Sequence, residues 1–172
     1  MAGIGSRRSL IGLAAFLGVT FVGMLIGGLA TSLGIGEWYQ TLPKPFWTPP
    51  DWVFSPVWTV LYVMMAVAAW LVWRNAGGRV GNARLALTLF FVQLAVNVLW
   101  SVLFFGLRQV GWAAVDTLLL LLLVLATARA FLPHSRTAAL LMLPYAVWVG
   151  YAASLTVAIW LMLPPEAPVP AG

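Results

Sequence analysis

The chain has no cysteine, four acidic residues and one histidine among its 172 residues. The absence of cysteine excludes disulfides, thiolate metal sites and cysteine nucleophiles. The single histidine, His134, lies in a predicted turn with no acidic residue close to it in sequence, so we do not interpret it as a metal ligand. No acid–base pair, activated nucleophile or metal cluster is visible. The sequence therefore argues against a hydrolytic or metal-dependent enzyme and implies no cofactor.

Charge is also scarce, since 8% of the residues are charged and 63% are hydrophobic. A soluble domain carries about 25% charged residues, so this composition is typical of a membrane protein. Apolar runs of about 20 residues, enough to span a bilayer, predict transmembrane helices at about 10–34, 55–73, 85–106, 113–131 and 138–163. We therefore expect an all-α integral membrane protein. Residues 1–163 would form one domain, a bundle of five transmembrane helices, followed by a disordered tail over 164–172.

The net charge of +5 is distributed unevenly between the two ends of the predicted helices. Two of the nine basic residues, Lys44 and Arg108, fall on one side. The other seven fall on the amino-terminal side: Arg7, Arg8, Arg74, Arg79, Arg84, Arg129 and Arg136. We take the membrane to be a bacterial inner membrane, and the positive-inside rule then predicts a cytoplasmic N-terminus and places the loop after the first helix outside. Because topology accounts for the basicity, we expect no nucleic-acid partner.

The loop between the first two predicted helices is rich in proline and tryptophan. The segment from Trp38 to Tyr62, WYQTLPKPFWTPPDWVFSPVWTVLY, holds four tryptophans and five prolines. Proline fixes φ and cannot donate a backbone hydrogen bond, which excludes a helix interior or a central strand here. We therefore predict a stiff aromatic loop. Ser55 followed by Pro56 predicts the N-cap and first position of the second helix.

Two patterns within the helices each allow two interpretations. In the first helix, the spacing of Gly23 and Gly27 is typical of close helix approach, either at a dimer interface or inside the bundle. In the third, Gln93 and Asn97 share one face with Trp100. Two amides on one stripe do not face lipid, so they form interhelical hydrogen bonds, contact a ligand, or do both.

Two features of the last two helices concern charge and proline. Asp116 and Arg129 lie near the two ends of the fourth helix, where the helix dipole favours an anion and a cation. The alternative for Asp116 is an intramembrane proton site. Pro144 predicts a kink in the fifth helix.

Aromatic and amide side chains on three helices converge below the loop. A rise of about 1.5 Å per residue puts Trp58 and Tyr62 near the outer end of the second helix. Asn97 and Trp100 lie at similar depth on the third, and Trp148 lies nearer the midplane. This arrangement favours a mostly apolar cavity for a flat hydrophobic ligand. Ordinary bundle packing of aromatic side chains is the alternative.

The loop motif, WYxxLxKPxWxPPxWVFxxVWxxLY, resembles the signature of the TspO/MBR family, the tryptophan-rich sensory proteins that include the translocator or peripheral benzodiazepine receptor proteins. The resemblance continues through Gln93–Asn97 with Trp100 and Phe104-Phe105-Gly106, and through Pro144-Tyr145 with Trp148. It covers roughly Glu37 to Leu163. The resemblance implies a five-helix membrane protein, commonly a homodimer in membrane lipid, with a ligand site beneath the first loop.

The resemblance also implies a function and a set of site residues. Members bind porphyrins, isoquinoline carboxamides and, in animals, cholesterol. Matching positions give a ligand site of Tyr39, Pro49, Phe54, Trp58, Tyr62, Gln93, Asn97, Trp100, Trp148 and Ala152. The expected function is a translocator or sensory receptor that binds tetrapyrroles, with a role in tetrapyrrole handling and the oxidative-stress response. The alternatives are light- or oxygen-dependent porphyrin degradation and the transport of lipid- or sterol-like molecules. No Lys or Arg follows Tyr151, which argues against sterol recognition.

Overall fold

A computed structural model describes residues 5–164. Within that range the chain is helical and contains no strand, and five helices are long and apolar enough to cross a membrane. The long helices are α1 (Ser6–Ser32), α2 (Phe54–Asn75), α3 (Arg84–Ser101), α4 (Val110–Phe131) and α5 (Leu143–Met162). The predicted all-α class with five membrane-spanning helices is confirmed. Most of the tail predicted to be disordered, 165–172, lies outside the described residues.

Short helical segments extend or join the long helices. A 3₁₀ turn, Asp51–Val53, leads directly into α2, and another, Val80–Ala83, leads into α3. α3 continues into a π-helical turn, Val102–Gly106. A short helix, Arg136–Leu141, precedes α5. The first and last of these segments bear on two sequence predictions.

The two predictions that involve proline at helix starts have different outcomes. The predicted kink at Pro144 takes the form of a break, because α5 starts afresh at Leu143 with the proline in its first turn, where its missing N–H leaves no bond unmade. The predicted N-cap at Ser55 is wrong. α2 begins one residue earlier, at Phe54, as a continuation of the 3₁₀ turn, and no side chain caps it.

The position of Asp116 also differs from the prediction. α4 begins at Val110, three residues earlier than expected, so Asp116 lies in its second turn and the first turn holds no acidic residue. The helix dipole acts mainly within the first and last turns. The dipole interpretation therefore fails for Asp116. It holds for Arg129, which lies in the last turn.

The five long helices form a ring that is closed unevenly. α1 packs on α2 and α3, α3 packs on α4, and α4 packs on α5. α2 and α5 make little direct contact, and the short helix Arg136–Leu141 packs on α2 in their place. The gap between α2 and α5 lies at the end that carries residues 33–53, which we call loop 1.

Glycines set the close approach of α1 to its neighbours. A methyl group added at Gly23 would lie 3.4 Å from Leu94 Cδ1 on α3, and one at Gly27 would lie 3.3 Å from Ser101 Oγ. This glycine pair therefore faces α3 of the same chain, which supports the bundle-packing interpretation. Just beyond α1, a methyl group at Gly34 would lie 2.5 Å from the Phe105 carbonyl oxygen. The start of loop 1 thus rests directly on the π-helical turn.

Loop 1 is held by one hydrogen bond to α5 and by another within the loop itself. It begins with a short helix, Glu37–Thr41. The Tyr151 hydroxyl of α5 donates a hydrogen bond of 2.6 Å to the Trp47 carbonyl, and Gln40 Nε2 donates one of 2.8 Å to Asp51 Oδ2. Loop 1 therefore spans the gap between α2 and α5 and covers the end of the ring.

Candidate functional site

A cavity of about 370 Å³ lies beneath loop 1. Its walls come from α1, α2, α3 with its π-helical turn, and α5, and its upper rim comes from loop 1. Seven of the ten predicted site residues line it: Tyr39, Phe54, Trp58, Tyr62, Asn97, Trp100 and Ala152. Ligand pockets in proteins fall at about 300–1,000 Å³ and are mostly apolar, so the volume and lining suit a small or flat ligand.

The other three predicted residues lie outside the cavity wall. Pro49 is half-buried in loop 1. Gln93 is fully buried, one turn of α3 below Asn97. Trp148 lies behind the wall, with its ring centroid 5.9 Å from that of Phe54 and 6.5 Å from that of Trp58. Trp148 thus fills the gap between α2 and α5 and supports the lining residue Trp58.

Several lining residues escaped the sequence analysis. α1 contributes Met24, Gly27, Gly28 and Thr31. The glycine pair signalled close packing, but it did not show that the same face also borders a cavity. On α5, the lining continues from Ala152 to Leu155, Thr156 and Ile159. The spacing of Ala152 and Thr156 on one helical face was the available signal.

The π-helical turn builds the aromatic corner of the cavity. A π-helical turn widens the helix by one residue and recurs at functional sites. Here it accompanies the burial of two consecutive side chains, Phe104 and Phe105, which both line the cavity. Phe104 stacks on Trp100 at 5.3 Å and meets Trp38 of loop 1 edge-on at 5.7 Å. Loop 1 and α3 therefore share one aromatic cluster.

The floor of the cavity is a chain of buried hydrogen bonds. The Tyr62 hydroxyl donates to Asn97 Oδ1, and Asn97 Nδ2 donates to the Tyr145 hydroxyl at 3.0 Å. Tyr145 in turn donates to Gln93 Oε1 at 2.9 Å. This polar chain joins α2, α3 and α5, so the interhelical interpretation of the two amides is observed. Asn97 also reaches the cavity wall.

Two indole N–H groups are left without acceptors. Trp100 Nε1 and Trp148 Nε1 are buried and have no hydrogen-bond partner among residues 5–164. An indole nitrogen can only donate, and a buried donor without an acceptor costs about 1–3 kcal/mol. The Trp100 ring lines the cavity, but its Nε1 is itself buried, so the unpaired N–H lies behind the cavity wall.

Two cations lie over aromatic rings of loop 1 near the cavity. Lys44 Nζ lies 4.4 Å from the centre of the Tyr39 ring, and the Arg108 guanidinium lies 5.7 Å from the Trp38 ring. Asp51 also lines this end. Burial, with a smaller contribution from Asp51, raises the pKa of Tyr39 to about 12. The Tyr39 hydroxyl therefore stays neutral at physiological pH and can donate a hydrogen bond.

The cavity is described by its walls, its floor and the groups near it. Among residues 5–164, no group of three His, Asp or Glu side chains is placed to hold a metal ion. The walls are aromatic and aliphatic, a chain of buried hydrogen bonds forms the floor, and two cations lie over loop 1 rings nearby. The fold and the cavity together define an integral membrane protein that encloses an apolar ligand-sized site.

The comparison with known proteins agrees with this class. The profile of the TspO/MBR family matches residues 15–161, and the chain belongs to that family. It is 42% identical to the Translocator protein of Ovis aries over 147 residues, 84% of this chain and 87% of the relative. It is 39% identical to the Tryptophan-rich protein TspO of Archaeoglobus fulgidus over 149 residues, 87% and 94% of the two chains. It is also 38% identical to Protein CrtK of Rhodobacter capsulatus over 136 residues, 78% and 83% of the two chains.

Proposed function

We propose that this protein is a translocator or sensory receptor that binds porphyrins and similar flat hydrophobic ligands in the cavity beneath loop 1. Its biological role would be tetrapyrrole handling and the response to oxidative stress. The observation that carries the proposal is the mostly apolar, aromatic cavity beneath loop 1. Flat aromatic ligands stack well against such walls.

Two cations near loop 1 favour a ligand with acidic groups. Lys44 lies over the ring of Tyr39, which lines the cavity, and Arg108 lies over the ring of Trp38, which contacts the lining residue Phe104. Both cations would attract the carboxylates of a bound porphyrin. A partly desolvated carboxylate forms stronger hydrogen bonds than a neutral acceptor does. We therefore expect acidic porphyrins to bind more tightly than porphyrins that carry only alkyl groups.

The test uses the purified full chain in lipid nanodiscs and two porphyrins, one with two propionates and one with alkyl groups only. Replacing Trp100→Phe keeps an aromatic ring in the cavity wall but removes part of the surface on which a flat ligand stacks. An aromatic contact contributes about 0.5–1.5 kcal/mol, so the variant should bind both porphyrins more weakly, by up to roughly twelve-fold. In the wild type, the acidic porphyrin should bind more tightly than the alkyl porphyrin.

The matched control is Trp112→Phe, because Trp112 is 66% exposed and does not line the cavity. Its affinities should equal those of the wild type. Unchanged affinity of the Trp100 variant for both porphyrins would remove Trp100 from the binding site. Folded wild-type protein without saturable porphyrin binding would remove the proposed function itself.

The enzymatic alternative is examined in the same samples. Trp58 lines the cavity and is in ring contact with Trp148, so a bound porphyrin would lie close to two oxidisable indoles. Spectra are compared in the dark and under light in the presence of oxygen. Stable spectra favour binding and sensing, whereas bleaching to a new product that requires the protein favours porphyrin degradation.

We also propose that the N-terminus is cytoplasmic and loop 1 lies outside, in a bacterial inner membrane. The absence of cysteine makes this simple to test with single cysteines. Phe46 is 96% exposed on loop 1, and Gly81 at the opposite end has open space around it, which suits Phe46→Cys and Gly81→Cys. An impermeant maleimide should label position 46 in intact cells and position 81 only after permeabilisation. The reverse pattern would invert the orientation.

A homodimer in the membrane is the expected assembly, and the family resemblance supports it. Gly23 and Gly27 face α3 of the same chain, so they do not supply the seam. Crosslinking and native mass measurements in mild detergent over a wide concentration range test the idea. Monomer alone throughout that range would exclude it.

A further inference from the structure

Asp116 is the only acidic residue in α1–α5. It is 6% exposed and lies six residues after the start of α4. At about 1.5 Å per residue this places it about 9 Å along the helix. Its depth removes it from the first-turn N–H groups that would stabilise a carboxylate.

The surroundings of Asp116 provide no compensation for a negative charge. Its Oδ2 is buried and has no hydrogen-bond partner among residues 5–164. An ionised carboxyl in an apolar interior is strongly unfavourable without a cation or several donors, and such groups become neutral instead. The lack of a hydrogen-bond partner for Oδ2 therefore favours the protonated, neutral form of the Asp116 carboxyl.

Basic groups on the elements that pack against α4 are too far away to pair with it. Arg84 and Arg136 lie at the end of the bundle opposite loop 1, as does Arg129, which is about 20 Å from Asp116 along α4. Arg108 precedes α4, and its guanidinium lies over the Trp38 ring. The titratable groups on α5 are Tyr145 and Tyr151, and neither carries a positive charge.

We propose that Asp116 is an intramembrane proton-binding site, held as a neutral carboxylic acid inside the bundle at physiological pH. A charge on Asp116 would act on Tyr145, because Tyr145 lies on α5, the helix that packs against α4. The Tyr145 oxygen already accepts a hydrogen bond from Asn97 and donates one to Gln93. A carboxylate nearby would disturb this polar chain, whereas a protonated Asp116 leaves it intact. The proton on Asp116 is thus linked to the floor of the cavity.

Infrared spectroscopy tests the proposal without requiring a reagent to reach the buried site. A protonated carboxylic acid has a carbonyl band above the amide I region, and an ionised one does not. An ordinary aspartate is protonated in only about one molecule in a thousand at pH 7. The full chain in lipid should therefore show a band worth close to one carboxyl at neutral pH, shifted in D₂O. Asp116→Asn should remove that band.

The control is Asp51→Asn, because Asp51 is exposed and lies outside α1–α5. It should leave the band unchanged. Asp116→Asn should also keep the wild-type melting temperature to within a few degrees, because a neutral amide resembles a neutral acid. The proposal is overturned if the wild type lacks the band at neutral pH, or if the band persists in the Asp116 variant. These readouts involve no ligand, so they stand or fall separately from porphyrin binding.

Discussion

Removing one hydroxyl from the centre of the bundle tests whether the polar chain holds the helices together. Tyr145 is fully buried, and its hydroxyl takes part in two hydrogen bonds that join α5 to α3. Tyr145→Phe removes both and leaves Asn97 Nδ2 and Gln93 Oε1 without these partners. The ring is retained, so the aromatic contact with Trp58 at 6.2 Å remains.

The expected magnitude follows from the environment of the two bonds. A buried polar group left unpaired costs about 1–3 kcal/mol in a soluble protein. In membranes an interhelical hydrogen bond averages about 0.6 kcal/mol, because the separated helices find other partners. Two bonds therefore contribute about 1–3 kcal/mol to the free energy of unfolding. For a chain of this size, that corresponds to a melting temperature lower by about 2–12 °C.

Tyr62→Phe is the matched comparison, because it removes one bond of the same chain, the one donated to Asn97. It should lower the melting temperature by about half as much. Because both bonds converge on Asn97, the double variant should lose less than the sum of the two single losses. Tyr62 lines the cavity and Tyr145 does not, so ligand affinity should change mainly in the Tyr62 variant. Melting curves and porphyrin titrations of the three variants check this. An unchanged melting temperature for Tyr145→Phe would refute the reasoning.

Three further predictions concern loop 1. Gly34→Ala should lower the melting temperature by several degrees, because the added methyl group meets the Phe105 carbonyl at 2.5 Å, whereas Gly18→Ala, with open space around it, should not. Tyr151→Phe removes the 2.6 Å hydrogen bond to Trp47 and should raise amide hydrogen exchange in loop 1 while leaving exchange in α3 unchanged. If loop 1 exchanged at the same rate in the variant and the wild type, other contacts would be holding the loop. The pKa of Tyr39 is raised from 10.0 to about 12. Tyr39 therefore ionises first in the unfolded state, and folding stability should fall between about pH 10 and 12. Melting measurements of Tyr39→Phe should lack that part of the pH dependence.

The transmembrane helices could be predicted because a long apolar run rarely forms any other structure. One wall of the cavity could be predicted because α3 carries two amide side chains. Gln93 and Asn97 could not face lipid, so they oriented their helix and placed Trp100 on the inner face with them. α1 has no comparable polar pair that identifies its inward face, only small residues. The sequence therefore did not predict that α1 lines the cavity.

Other features depended on backbone detail that residue patterns do not carry. The π-helical turn adds one residue to a single turn and leaves no evident mark in composition. The break before Leu143 makes α5 a separate helix, and depth estimated from a continuous helix did not show that Trp148 lies behind Trp58. Asp116 was assigned to a helix end because the fourth helix was predicted to begin three residues late.

The uneven closure of the helix ring has a mechanical consequence. Four neighbouring pairs of long helices around the bundle pack extensively on each other. α2 and α5 are joined instead by the aromatic side chains of Phe54, Trp58 and Trp148 and by the hydrogen bond from Tyr151 to Trp47 of loop 1. Under lateral tension or a change in bilayer thickness, deformation concentrates where the fewest contacts resist it. The bundle is therefore stiff around most of its circumference and compliant along one line. That line borders the cavity at Phe54 and Trp58, so we expect a change in the surrounding lipid to alter the width of the site before it alters the rest of the bundle.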